Sequence, residues 1–216
     1  MKTILVTSQK GGSGKTTVAA HLAVEAERNQ TSAWLIDTDK QGTLSLWHDR
    51  REAEFPQRVD LPFSRLADGL KTIAERGAAY CFVDTAPTIS EQNTSLLRLA
   101  DLVLIPVRPS PADLWAVSET VKLVKETGQP FLFVITQAKP QATITAQTIA
   151  ALSEHGQVAQ TFIADRVSYA VAMTGGKTAP ELQPKGPAAE EIKGLWQNIL
   201  SCFHENMNST RRTSHG

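Results

Sequence analysis

The sequence predicts a three-layer α/β fold, a mostly parallel twisted sheet with helices on both faces. Three observations predict it. Short apolar runs alternate with stretches of helical periodicity along the 216 residues. A glycine-rich octet, Lys10-Gly11-Gly12-Ser13-Gly14-Lys15-Thr16-Thr17, follows the first run. Acidic residues stand where the second and third runs end, and open α/β sheets place their ligands at the carboxyl ends of their strands.

In chain order, strands are expected at 3–7, 33–37, 80–84, 102–106, 131–136 and 158–162, each an apolar run too short for a helix. The helix after the octet carries Val18, Leu22 and Ala26 on one face. The helix after Pro62 carries Leu66, Leu70 and Ile73, and the one after Pro111 carries Leu114, Val117, Val121 and Val124. Pro111 suits a first helical turn, and Gly128 with Pro130 suits a stop. Residues 174–187 hold three prolines and three glycines and read as a loop. A last helix is expected over 188–204. The expected organisation is one domain over 1–205, with a flexible polar tail over 206–216.

Composition excludes several classes. Hydrophobic residues make up 41% and charged residues 20%, so the chain can build a core and is not a disordered polyelectrolyte. The 22 basic and 22 acidic residues balance, so there is no basic arm to carry nucleic-acid binding. Cys81 and Cys202 sit in apolar surroundings without metal-ligand or redox spacing and read as buried thiols. No apolar stretch approaches the ~18 residues of a membrane span, and no secretory signal is visible, so a cytoplasmic protein is expected.

The octet reads as a phosphate cradle. Its glycines let backbone N–H groups turn inward around an anion, Lys15 can reach β- and γ-phosphates, and the Thr16 hydroxyl can ligate Mg²⁺. The ordinary pattern wants glycine at position 9, where this chain has Gln9. An additional lysine, Lys10, opens the loop; it is hard to aim at the same phosphates as Lys15, so an outward role toward another subunit's nucleotide is expected. Phe82-Val83-Asp84 has the form of a Walker B segment, whose carboxylate holds Mg²⁺, commonly through water. Asp37 and Asp39 flank one threonine and point the same way from an extended strand end. Either Asp37 orients Thr16 or a metal-bound water while Asp39 aligns the attacking water, or the pair caps the helix beginning near Thr43.

The octet, Ile36-Asp37-Thr38-Asp39-Lys40-Gln41-Gly42, Val83-Asp84-Thr85-Ala86-Pro87 and Ile105-Pro106-Val107-Arg108-Pro109-Ser110-Pro111 together resemble the ParA partition ATPases of the deviant-Walker-A class, in particular the small plasmid-type members without an N-terminal DNA-binding domain. The resemblance implies a P-loop NTPase fold, ATP/ADP and Mg²⁺ as cofactors, and a homodimer that sandwiches two ATP molecules. By resemblance Lys10 crosses to the partner's nucleotide, and Gly11, Gly12, Ser13, Gly14, Lys15, Thr16 and Thr17 cradle the phosphates. Asp39 then positions the water, while Thr16, Asp37 and Asp84 form the metal side. The implied function is DNA partition: non-specific DNA binding by the ATP dimer, reset when a centromere-binding adaptor protein stimulates hydrolysis, with a nucleoid-associated location.

Two positions depart from the family. Lys40 replaces a usual proline, and Thr136-Gln137 stands where relatives often carry an arginine, so the adenine contact is expected to rest on Thr136 and on a Gln137 hydrogen bond. Arg166 and Lys193 are the candidate DNA contacts. The competing reading is a MinD-like membrane-associated positioning ATPase. It would use the apolar stripe Ile192, Leu195, Trp196, Ile199, Leu200 and Phe203, but Glu190, Glu191 and Glu205 beside that stripe suit core packing better, and no membrane partner is expected. An amidotransferase-type synthetase would need substrate-pocket sequence that a single compact domain hardly supplies. The nitrogenase iron protein would need paired cysteines. A non-hydrolysing ATP-dependent scaffold stays open.

Overall fold

The computed structural model describes residues 1–87 and 91–213, with side chains outside 91–93 and 206–213. The chain runs β1 (Lys2–Val6), α1 (Lys15–Arg28), β2 (Ala33–Asp37), α2 (Thr43–Asp49), β3 (Gln57–Val59), α3 (Leu66–Glu75), β4 (Tyr80–Asp84) and α4 (Glu91–Leu97). It continues through β5 (Leu102–Val107), α5 (Pro111–Thr127), β6 (Phe131–Ile135), α6 (Thr143–Ser153), α7 (Val167–Thr174), α8 (Ala179–Leu182) and α9 (Pro187–Thr213). The strands form one sheet in the order β3-β2-β4-β1-β5-β6, every neighbouring pair parallel.

Side chains alternate along a strand. Ile4, Val6, Leu35, Phe82, Leu104 and Val134 therefore pack into one layer, with α1, α2, α7, α8 and α9. Leu5, Ile36, Val83, Val103 and Phe133 pack into the other, with α3, α4, α5 and α6. A parallel sheet covered on both faces needs apolar residues at every strand position, which is why these strands read as continuous runs. Ser110 caps α5 by accepting the Asp113 N–H at 3.2 Å, and Gly128 ends it in the left-handed region at φ 72°.

The structure departs from the sequence expectation in four places. β3 was not expected, because it is a three-residue edge strand with one apolar residue. Residues 158–162 do not form a strand. Single bridges join Val158 to Phe133 and Ala164 to Ala138, and between them the chain bows away as the Thr161 N–H turns to Asn198 Oδ1 at 3.0 Å. Residues 174–187 contain the turn of helix α8. Thr178 and Glu181 close a capping box around it, and Pro180 lies in the first turn, where no N–H is needed. Finally, α9 continues to Thr213, past the expected end at 204. The tail expected over 206–216 thus has helical backbone to Thr213, while its side chains and residues 214–216 lie outside the described residues.

The apolar stripe of α9 is core. Ile192, Leu195, Trp196, Ile199 and Phe203 are buried, Leu200 is half-buried against the same core, and Trp196 meets Tyr80 edge to face at 4.9 Å. Cys81 and Cys202 are free and buried. Trp196→Ala should lower unfolding free energy by about 3–5 kcal/mol, the cost of a large buried aromatic. Urea denaturation measures it, and a loss below about 1 kcal/mol would show that the stripe is not structural.

Candidate nucleotide and metal site

The parallel register places Val6 opposite Asp84, and Asp84 opposite Asp37. The ends of β1, β4 and β2 therefore converge, and with them the glycine-rich loop, Asp84 and the Asp37–Asp39 segment. Gly12 and Gly14 take φ values of 74° and 91°, which residues with a Cβ rarely adopt, so the loop can turn back on itself and enter α1. Lys15 is buried at the start of α1, and its Nζ lies 3.5 Å from the Lys10 carbonyl. Burial pushes its pKa down, partly offset by the charges of Asp84 and Asp39. Among the described residues no carboxylate pairs with the half-buried Lys10 side chain. Gln9 turns its amide to α5, facing Glu119 at 3.0 Å and the Thr120 N–H at 3.1 Å in the orientation that satisfies both.

The Thr16 hydroxyl donates to Asp84 Oδ2 at 2.5 Å. The other oxygen, Oδ1, is buried without a hydrogen-bond partner among the described residues, as is Ser13 Oγ in the loop. Burial pushes the Asp84 pKa up to about 7, against the lowering effect of the Thr16 hydrogen bond. A hydroxyl and an under-satisfied carboxylate are hard oxygen donors, so Thr16 and Asp84 fit Mg²⁺, which also takes phosphate oxygens and water. Bound there, the cation would neutralise charge on the β- and γ-phosphates.

Asp37, expected on the metal side, anchors the start of α2. Its Oδ1 accepts the Asp39 N–H at 3.0 Å, and its Oδ2 accepts the N–H and hydroxyl of Ser45 at 2.9 and 3.0 Å. Both oxygens thus serve the start of α2, the capping alternative left open by the sequence. Asp39 is half-buried beyond it and close enough to raise the pKa of both Asp84 and Lys15. Its Oδ1 accepts the Gln41 N–H at 3.0 Å, shaping the loop ahead of α2.

A family model for the CobQ/CobB/MinD/ParA nucleotide-binding domain matches residues 4–180. The chain belongs to that family. It is 29% identical over 209 residues to "maintenance of carboxysome distribution protein A" of Halothiobacillus neapolitanus, covering 92% of this chain and 96% of that one. It is 25% identical over 217 residues to protein ParA of Rhizobium radiobacter, covering 94% and 96%. Among solved structures, apo McdA from Cyanothece superposes with a TM-score of 0.77 at 20% identity, covering 92% of this chain and 99% of that one. The cell division protein MinD of Aquifex aeolicus superposes at 0.76 and 18%, covering 93% and 98%. This chain is therefore an ATP-binding P-loop ATPase of the ParA/MinD superfamily.

The residues expected to meet the base brace the family's phosphate loop. Thr136 Oγ1 donates to the Ser13 carbonyl and Gln137 Nε2 to the Gly12 carbonyl, both at 2.8 Å. They also line a cavity of about 220 Å³ with Gly14, Thr17, Arg166 and Tyr169, beside the phosphate loop. Arg166 is no open basic face. Its Nε and Nη2 pair with Glu191 Oε1 at 2.8 and 2.7 Å, while Glu191 also takes the Tyr169 hydroxyl at 2.7 Å. Lys193 is exposed on α9, without an ion pair among the described residues.

Sequence reading missed three supporting residues. Arg108 Nη1 lies 3.5 Å from where a Cβ on Gly12 would stand, and the Arg108 guanidinium is forked on Asp113 at 2.6 and 3.0 Å. Tyr169 walls the cavity. His21 is wholly buried on α1, with Nδ1 2.8 Å from the Thr17 carbonyl and Nε2 3.0 Å from the Ala179 N–H. That pairing needs the neutral ring with its proton on Nδ1, and burial pushes the pKa down to about 4. No local signal in the sequence marks a histidine joined to a residue 158 positions away.

The unfolded chain protonates His21 near pH 6.5, whereas the folded chain resists until about 4. Its contribution is therefore complete above pH 6.5 and lost as pH falls toward 4, by about 3 kcal/mol. Asp84 runs the opposite way, so the variant comparison isolates His21. The stability gap between the parent and His21→Asn should shrink by about that amount from pH 7 to pH 4 in denaturant titrations; a constant gap contradicts a neutral buried ring.

Proposed function

We propose that this ATPase is a positioning switch of the McdA/MinD kind. As an ATP-bound dimer it holds a cellular surface, and hydrolysis stimulated by an adaptor on the cargo releases it. The observation that carries the proposal is end-to-end similarity to a protein named for carboxysome distribution, together with a full phosphate loop and an uncommitted Lys10 at its mouth. The MinD likeness in fold supports positioning over plasmid partition alone, so partition of DNA becomes one case of a wider class.

In this reading Lys10 reaches the nucleotide of the partner subunit, Lys15 and Thr16 hold phosphate and Mg²⁺ with Asp84, and Asp39 positions the water for a reaction that is mainly placement and electrostatics. Duplex DNA, bound without sequence preference, is the surface we favour. Burial of the α9 stripe leaves those apolar residues unable to insert into a bilayer without unpacking the core, which weighs against the MinD-like membrane mode. A soluble adaptor at the cargo completes the cycle, and a nucleoid-associated location follows from the DNA partner.

With Mg²⁺ and ATP the parent should sediment as a dimer, and Lys10→Ala should stay monomeric while still binding nucleotide. In the same buffers the parent should bind non-specific duplex DNA only with ATP, weakening about tenfold or more as salt rises from 50 to 200 mM. Binding to anionic vesicles in place of DNA would move the surface to the membrane, and dimerisation without ATP would overturn the switch.

A further inference from the structure

Helix α2 is held at both ends. At its start, Asp37 takes the Ser45 N–H and hydroxyl. At its far end, the Trp47 indole N–H donates to the Lys177 carbonyl at 3.0 Å. The Arg51 side chain, 2% exposed, forks onto Glu181 with Nη1 at 3.1 Å and Nη2 at 2.9 Å. The same guanidinium donates to the carbonyls of Gly176 and Phe55, each at 2.9 Å, and lies over the Trp47 ring at 4.8 Å. Gly176 packs directly on the Arg50–Arg51 backbone: a Cβ there would stand 2.5 Å from the Arg50 carbonyl carbon and 2.7 Å from Arg51 N. Its φ of 67° permits that approach only for glycine.

The segment that receives α2 is tied in turn to the phosphate-loop helix. Glu181 closes the capping box with Thr178, and the next residue, Ala179, gives its N–H to His21 Nε2, whose other nitrogen bonds the Thr17 carbonyl. A continuous set of hydrogen bonds therefore runs from the helix that begins at Lys15, through 176–181, to the far end of α2. At its near end α2 delivers the Asp39–Gly42 loop, closed by the Gly42 N–H on the Asp39 carbonyl at 2.9 Å. Seven helical residues span about 10 Å, short enough to act as one rigid strut.

We propose that Arg51, seated between Glu181 and Trp47, is a positioning residue for hydrolysis: it locks α2 to the 176–181 segment and so fixes where Asp39 stands over the nucleotide held by α1. This rests on the proposed role of Asp39 in aligning water. A planar fork suits the task, because two parallel bonds to one carboxylate fix orientation as well as distance, which a lysine cannot do. With both ends of the strut fixed, the loop 38–42 bridges a constant gap. Releasing one end lets the strut pivot, and misplacement by an ångström is enough to slow a reaction that depends on alignment.

The test uses Arg51→Lys and, as a second variant, Trp47→Phe, which removes the N–H that bonds Lys177 and part of the ring beneath Arg51 while keeping an aromatic side chain at this buried position. Steady-state turnover, affinity for a fluorescent non-hydrolysable ATP analogue, melting temperature, and hydrogen exchange over 38–46 with Mg²⁺ and the analogue are measured together. The expected result is kcat five- to twentyfold lower in Arg51→Lys and at least threefold lower in Trp47→Phe. Analogue affinity should stay within twofold of the parent, and exchange should be at least fivefold faster over 38–46 but unchanged over 15–20. Unchanged kcat with a lower melting temperature makes the clamp merely structural and overturns the proposal; an affinity loss matching the kcat loss does so too. Should the parent turn over no ATP, the hydrolytic reading falls, and the exchange pattern alone then decides whether Arg51 governs the loop.

Discussion

The contact between Thr16 and the buried carboxylate of Asp84 is the constraint on which the site depends. Asp84 ends the strand at the centre of the sheet's ligand edge, with β1 and β2 on either side. Burial raises its pKa and leaves one oxygen without a partner among the described residues, a state that is costly unless a cation or proton joins it. The fold therefore holds a carboxylate that a cation would relieve, directly beside a loop built to hold phosphate. A Mg²⁺ bound there would balance the charge of the phosphates.

Around this point the molecule adds braces rather than further catalytic groups. Thr136 and Gln137 hold the loop's own carbonyls, which frees its N–H groups to face an anion. Asp37 holds the start of α2. Arg166 is neutralised by Glu191 and serves as a cavity wall. The polar side chains of the site thus divide into a few left for the nucleotide in the proposed reading, Lys10, Lys15 and Asp39, and many that fix the backbone from which those few project.

Much of this was legible in the sequence, for physical reasons that differ by element. The strands 33–37 and 80–84 read correctly to the residue, because a parallel strand buried on both faces must be apolar throughout. The turn of the glycine-rich loop was legible because its geometry demands glycine at Gly12 and Gly14. The edge strand Gln57–Val59 was invisible because it is short and carries a single apolar residue. Residues 158–162 misled because apolar content marks burial, while strand pairing is decided by where each N–H goes, and that of Thr161 goes to Asn198. The same limit explains Asp37, Gln137 and His21. Their residue types suggested chemistry or nothing, whereas their roles are set by partners brought near only by the fold.

The central claim is that Asp84 and Thr16 form a Mg²⁺-nucleotide site, and calorimetric titration of ADP with and without Mg²⁺ tests it most directly. Asp84→Asn is the informative partner, since a neutral isostere suits a position where burial already favours the uncharged form. The account predicts that Mg²⁺ tightens nucleotide binding in the parent by about tenfold or more and that this gain disappears in Asp84→Asn, with metal-free affinity preserved. An equal Mg²⁺ gain in the parent and the variant would contradict it.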